Sequence, residues 1–177
     1  MININIFAGP GTGKSTTAHG LMYRMKMDGH KVEFVPEYAK ELTYGKDSIK
    51  LSDQILLLGQ QHHRVFRLKD ELDYVIHDSP FVMGMVYAQE EFVPLPEFEA
   101  LILAMYKRYN HMNFFIERDN DHHKYQEYGR NQNLEEAQEK DTQIKEWLTE
   151  KDIPFFTVKM GQETVQEILN IVGQVHV

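Results

Sequence analysis

The chain has 177 residues, 42% apolar and 26% charged, with eleven Gly, six Pro and no Cys, the composition of an ordinary globular domain rather than a low-complexity or collagen-like chain. The lack of Cys excludes disulfides, zinc fingers, iron–sulfur clusters and thiol nucleophiles together, and the longest apolar runs, such as Leu101 to Met105, fall far short of a bilayer span. A net charge of −8 disfavours coating of DNA through its phosphates, although residues 1–70 hold ten Lys/Arg against seven Asp/Glu while residues 71–177 hold nine against twenty, so a basic groove in the first part stays compatible with the total.

Met1 leads straight into an alternating stretch, without the basic segment and long apolar core of a secretory signal, which implies the cytoplasm of a cell or of an infected host. Residues 2–8 alternate, are rich in Ile, and break at Gly9-Pro10-Gly11-Thr12-Gly13, as a buried strand entering a Gly-rich turn does. A helix from Lys14, with Ala18, Leu21, Met22 and Met25 three or four apart, stops at Asp28-Gly29. Lys31 to Val35 is the second strand. A helix over 53–68, with Ser52 available as its N-cap, precedes a strand at Asp73 to His77 that ends in Asp78-Ser79-Pro80. A helix over about 96–109 leads to a strand at Met112 to Ile116, and the polar stretch 117–133 reads as a mobile lid. A polar helix over 134–150, a strand from Ile153 to Lys159 and a helix from Thr164 to Val172 complete the chain. Strands alternating with helices throughout 1–177 predict one domain, a parallel sheet of about five strands covered on both faces.

Ala8-Gly9-Pro10-Gly11-Thr12-Gly13-Lys14-Ser15 fits the Walker A pattern with Ala for the first Gly, in the strand-to-helix setting the mechanism needs. Backbone N–H groups from Gly9, Pro10's neighbours, Gly11, Thr12, Gly13 and on to Thr16 would wrap a polyphosphate at a helix N-terminus. Lys14 would reach its β and γ oxygens, and the Ser15 hydroxyl would ligate Mg2+. The fold expected is therefore the three-layer α/β P-loop NTPase fold.

Asp78, at the carboxyl end of a strand, occupies a Walker B position and would hold the Mg2+ through water; the alternative is a cap on the following turn. Glu37, at the end of strand two, is a candidate base for an attacking hydroxyl, alone or with Asp78, against the plainer reading of a solvated loop carboxylate. Arg118, Lys124 and Arg130 are cations in an acidic half of the chain, and Arg130 followed by Arg118 are the candidates to neutralise a transferring phosphoryl group. Tyr38, Tyr44, Phe81 and Tyr87 are candidates to stack an acceptor base, and Gln54, Gln60 and Gln61 to read its edge. Adjacent His residues at 62–63 and 122–123 do not have the spacing of a metal site.

Taken together, Gly9 to Thr16, Glu37-Tyr38-Ala39-Lys40, Asp53-Gln54 with Gln60 or Gln61, Asp78-Ser79-Pro80, and Gly129-Arg130-Asn131-Gln132 with Asp141 downstream resemble the small P-loop kinases of the thymidylate kinase-like class. Within it they are similar to ribosylnicotinamide kinase-type and bacteriophage nucleoside kinase-like proteins. The resemblance implies ATP and Mg2+, and transfer of the γ-phosphate to an alcohol of a nucleoside-type acceptor. Its sharpest form is the 5-hydroxymethyl group of 5-hydroxymethyluracil in phage DNA, a base that would have to be flipped out or reached in opened duplex. A free nucleoside, ribosylnicotinamide or a nucleoside monophosphate are the alternatives within the same chemistry. An accessory ATPase or nucleotide-driven switch is the alternative outside it. The oligomeric state is left open.

Overall fold

A computed structural model describes residues 1–68, 71–87, 96–119 and 133–175. Its elements in chain order are β1 (Ile2–Phe7), α1 (Lys14–Met27), β2 (Val32–Val35), α2 (Tyr38–Gly45), α3 (Ser48–Ser52), α4 (Gln54–Phe66) and β3 (Tyr74–His77). A 3-10 turn (Phe81–Met83), α5 (Gly84–Tyr87), α6 (Pro96–Tyr106), β4 (Asn110–Glu117), α7 (Leu134–Glu150), β5 (Phe156–Lys159) and α8 (Thr164–Val175) follow. The five strands pair in parallel in the order β2-β3-β1-β4-β5, confirming the expected α/β class.

The Ile residues of β1 fill the sheet's middle. Ile4 and Ile6, with Ile76, Phe114, Ile116 and Val158, face α1 and α8, which contribute Ala18, Leu21, Met25 and Ile168. Burying each of these side chains contributes roughly 1.5–3 kcal/mol. On the other face Phe7 and Phe115 meet Leu58 of α4, Phe98 and Ile102 of α6, and Ile144 and Leu148 of α7. That face also carries a polar layer. Asn5 Nδ2 donates to Asn113 Oδ1 at 2.8 Å and to His111 Nδ1 at 2.9 Å, His77 Nε2 donates to Asn3 Oδ1 at 2.8 Å, and the Tyr106 hydroxyl donates to Asn113 Oδ1 at 2.8 Å. Buried amides are tolerated here because each finds a partner.

Several boundaries differ from the sequence reading, each for a local reason. Residues 38–52 form two helices absent from that reading; α2 buries only Leu42 and α3 buries nothing, so no apolar period marks them. The cap of α4 is Asp53, whose side chain accepts from Leu56 N–H, while Ser52 ends α3. The last strand starts at Phe156, because Ile153 plugs the core from the preceding loop and Pro154 has no N–H for a ladder. β4 extends to Asn110 and Glu117, its polar His111 and Asn113 being absorbed by the polar layer. Of the stretch 117–133 expected to be a lid, Glu117 closes β4 and Asn133 caps α7 in a reciprocal capping box with Glu136. Residues 120–132, with Lys124, Arg130 and the 122–123 His pair, lie outside the described residues.

Candidate active site

The strand order places the site. From β1 the chain crosses through α1 to β2 on one side, whereas from β3 it crosses through α6 to β4 on the other. The crevice outside the carboxyl ends of β1 and β3 is thus where the connections diverge, the place where ligands bind in open α/β sheets. Gly9–Ser15 lie on one side of it and Asp78 on the other, around a cleft of about 600 Å³.

Gly13 begins α1 with a left-handed φ of 101°, no side chain caps the helix, and its first turn has no acidic residue. The first N–H groups of α1 are therefore left for an anion. A Cβ at Gly13 would lie 2.6 Å from Met160 Cε, so the turn rests directly on the end of β5. Gly9 is required by space rather than conformation: a Cβ there would collide with the Ala137 carbonyl oxygen and come within 2.8 Å of Asp141 Oδ1. Its N–H donates to that same oxygen, while its carbonyl accepts from Thr12 Oγ1 and Lys14 Nζ, both at 2.9 Å.

Ser15 Oγ donates to Asp78 Oδ2 at 2.6 Å. Asp78 is only 3% exposed, and its Oδ1 is buried with no hydrogen-bond partner. A hydroxyl beside a carboxylate with an unused buried oxygen is a donor set that fits a hard divalent cation such as Mg2+. Ser15 and Asp78 would hold it, and it would supply charge neutralisation to a triphosphate.

Glu37 lines the same cleft as the N-cap residue of α2, not as a loose loop carboxylate. Burial raises its pKa, with Lys14 and Lys40 pulling it down and Asp78 pushing it up. Burial lowers the pKa of Lys14, which Glu37, Asp78 and Asp141 partly restore. Burial is the largest influence on both; Glu37 and Lys14 favour each other's charged form, while Asp78 works against that of Glu37 and Arg118 against that of Lys14.

Tyr38, Tyr44, Phe81 and Tyr87 also line the cleft, together with Leu57 and Gln54. Gln54 is 5% exposed, and its Oε1 is buried with no hydrogen-bond partner. The other two glutamines are placed differently. Gln61 holds backbone, accepting from Tyr38 N–H at 3.0 Å and donating to the Pro36 carbonyl at 3.2 Å, and Gln60 is exposed.

Arg118 is placed differently from the sequence expectation of a residue closing over the phosphoryl group. Its Nε pairs with Asp141 Oδ2 at 3.0 Å and an NH2 group donates to the Pro10 carbonyl at 2.8 Å, with only 8% of the side chain exposed. It braces the phosphate loop by a carbonyl. Sequence reading named Asp141 without a role; its contacts with Gly9 and Arg118 join positions too distant for any local pattern to reveal. Lys40, which donates to Ser15 Oγ at 3.3 Å, was likewise given no role. Among the described residues no cluster of three or more His, Cys, Asp or Glu is placed to hold a metal, and no helix is long and apolar enough to cross a membrane.

The fold matches a deoxyadenosine kinase from M. mycoides solved with bound dATP, with a TM-score of 0.61, 17% identity, and coverage of 97% of this chain and 99% of that one. The same enzyme with bound dCTP matches with a TM-score of 0.60 at 17% identity and the same coverage. No curated protein matches the sequence. The family model described as an AAA domain matches residues 3–167, and with the phosphate loop, the Ser15–Asp78 pair and the β2-β3-β1-β4-β5 sheet in place, the chain belongs to that AAA-domain family.

Proposed function

We propose that this protein is a kinase that moves the γ-phosphate of ATP, with Mg2+, to an alcohol of a nucleoside-type acceptor. The observation that carries the reading is the convergence of Lys14, the Ser15–Asp78 pair and Glu37 in one cleft that Tyr38, Tyr44, Phe81 and Tyr87 also line. The likeness to a deoxyadenosine kinase along nearly the whole of both chains supports an acceptor of nucleoside type.

The acceptor O–H gives its proton to the Glu37 carboxylate as its oxygen attacks the γ-phosphorus. The bond from that phosphorus to the β–γ bridging oxygen breaks, and ADP leaves with that electron pair. Lys14 and the N–H groups of Gly11 to Thr16 would hold the β and γ oxygens, the Gly9 N–H being committed to Asp141, while Ser15 and Asp78 would hold the metal. The aromatic walls position the acceptor and exclude water, which limits transfer to solvent. Arg130, from 120–132, is the remaining cation assigned to the transferring group, and Arg118 contributes by fixing Pro10.

The finest form of the reading takes 5-hydroxymethyluracil in DNA as acceptor, and rests on the resemblance of the motifs. The test is transfer of labelled γ-phosphate with Mg2+ to DNA containing 5-hydroxymethyluracil, unmodified DNA, free nucleosides, ribosylnicotinamide, a nucleoside monophosphate, and no acceptor. Label on one acceptor class establishes the kinase and selects the class. Free phosphate at equal rates with and without every acceptor would replace it with an ATPase.

A further inference from the structure

Only four charged side chains line the cleft among the described residues: Lys14, Glu37, Lys40 and Asp78. Three of them have roles above. Lys40 stands in the first turn of α2, three residues after Glu37, so the two side chains share one side of that turn. Its Nζ reaches across the cleft to Ser15 Oγ at 3.3 Å. Lys14 rises from the start of α1 and its Nζ donates to the Gly9 carbonyl at 2.9 Å, so the two ammonium groups enter the cleft from different elements, α1 and α2.

Ser15 Oγ already gives its proton to Asp78, and its lone pairs are what a divalent cation would use. An ammonium group can only donate, and two cations on one hydroxyl oxygen repel each other. With metal on Ser15, Lys40 must turn to an anion. Its four-carbon stem moves Nζ by several ångströms without any shift of α2, and a terminal phosphate bound next to a metal held by Ser15 would offer it anionic oxygens. A triphosphate also carries more negative charge than Lys14 and one divalent cation neutralise.

We propose that Lys40 is a catalytic residue that contacts a terminal-phosphate oxygen of the bound nucleoside triphosphate, on the side away from Lys14, and stabilises the charge on that phosphoryl group during transfer. The inference rests on the kinase reading, but one of its tests does not require turnover. Affinity of the Mg2+ complexes of a nonhydrolysable ATP analogue and of ADP is measured by calorimetry for the parent protein, Lys40→Ala, Lys40→Gln and Lys40→Arg. Contact with the terminal phosphate predicts that Ala and Gln weaken the triphosphate by about tenfold while leaving ADP unchanged, and that turnover falls by roughly 10²-fold. Arg, which keeps the charge, restores most of both.

Equal loss for both nucleotides in Ala and Gln would mean that Lys40 only maintains the cleft, and overturns the proposal. So would unchanged nucleotide affinities with a raised KM for the acceptor, which would assign Lys40 to the acceptor instead. If the parent protein binds the triphosphate but labels no acceptor, the kinase reading fails, while the triphosphate-over-diphosphate preference still decides whether Lys40 touches the terminal phosphate. Should Ala lower the urea midpoint, Gln and Arg, which retain most of the side chain's packing, keep the comparison valid.

Discussion

Gly9 and Asp141 are 132 positions apart in the chain, yet the amide of one donates to the carboxylate of the other. The second oxygen of that carboxylate takes the Arg118 guanidinium, whose other end holds Pro10. The phosphate loop is therefore anchored at two successive residues by a single ion pair, with 8% and 17% of the two side chains exposed. Removing one partner strands the other. Asp141→Ala is expected to lower unfolding free energy by about 3 kcal/mol and to weaken nucleotide binding. Asp141→Asn, which keeps an acceptor for Gly9, should cost less in both. Urea midpoints and calorimetric affinities of the two variants check the order.

Gly9→Ala tests close approach without removing any charged side chain. The new methyl would need the space of the Ala137 carbonyl and of Asp141 Oδ1, so α7 or the loop must move, at a cost of about 1–3 kcal/mol. Gly161→Ala, where nothing lies within 4 Å of the added carbon, should stay within about 0.5 kcal/mol of the parent. Nucleotide affinity should fall only in the first.

Glu37 as base predicts a definite pH profile. Its pKa is raised from the ordinary value of 4.5, chiefly by burial, so turnover should increase with pH as it deprotonates, along an acid limb whose midpoint lies above that value. Glu37→Gln should remove the limb and reduce turnover by about 10²-fold or more while leaving ATP affinity nearly intact. Lys14→Ala should abolish transfer. An acid limb unchanged in Glu37→Gln would give the base role to another group.

The polar layer predicts loss of stability in acid. Burial holds His77 down at about 3 and His111 at about 4, against an ordinary value of 6.5. Both rings are neutral in the folded protein through a range where the unfolded chain takes up protons. Stability is fully present above pH 6.5 and is lost as pH falls toward those folded values, with each ring contributing a slope of up to about 1.4 kcal/mol per pH unit. Glu37 acts in the opposite direction because its folded pKa is raised. Urea midpoints at pH 7.0 and 5.5 measure the net, which is expected to drop; His111→Asn should lessen the drop.

The parts legible in the sequence are those written in contiguous chemistry. The Ile alternation of β1, the Gly-rich turn and the Lys14-Ser15 pair specify strand, loop and helix within fifteen residues, and Asp78 follows from its place at the end of an apolar strand. Glu37 was visible as a residue but not as the start of a helix, since α2 has one buried side chain to announce it. Arg118 was read from its charge alone. Whether a cation after β4 faces phosphate or braces a carbonyl depends on Asp141, which α7 supplies. The division of labour between Gln54 and Gln61 was hidden for the same reason, because Gln61 is committed to the backbone of residues 36 and 38.

The Ile-x-Ile-x-Ile repeat of β1 looks the same to its neighbours after a slide of two residues, so apolar packing against α1 and α8 cannot by itself tell one alignment from the next. Asn3, Asn5 and Phe7 on the opposite face are not self-similar. Asn5 stands beside His77 and Asn113 in the native pairing, and a two-residue slide would set Phe7 against those polar groups and leave them unpaired in the interior. It would also carry Gly9 about 6.6 Å along the strand axis, away from Asp141. The buried amides and imidazoles thus act as the index mark of the sheet, fixing where along β1 the phosphate loop begins.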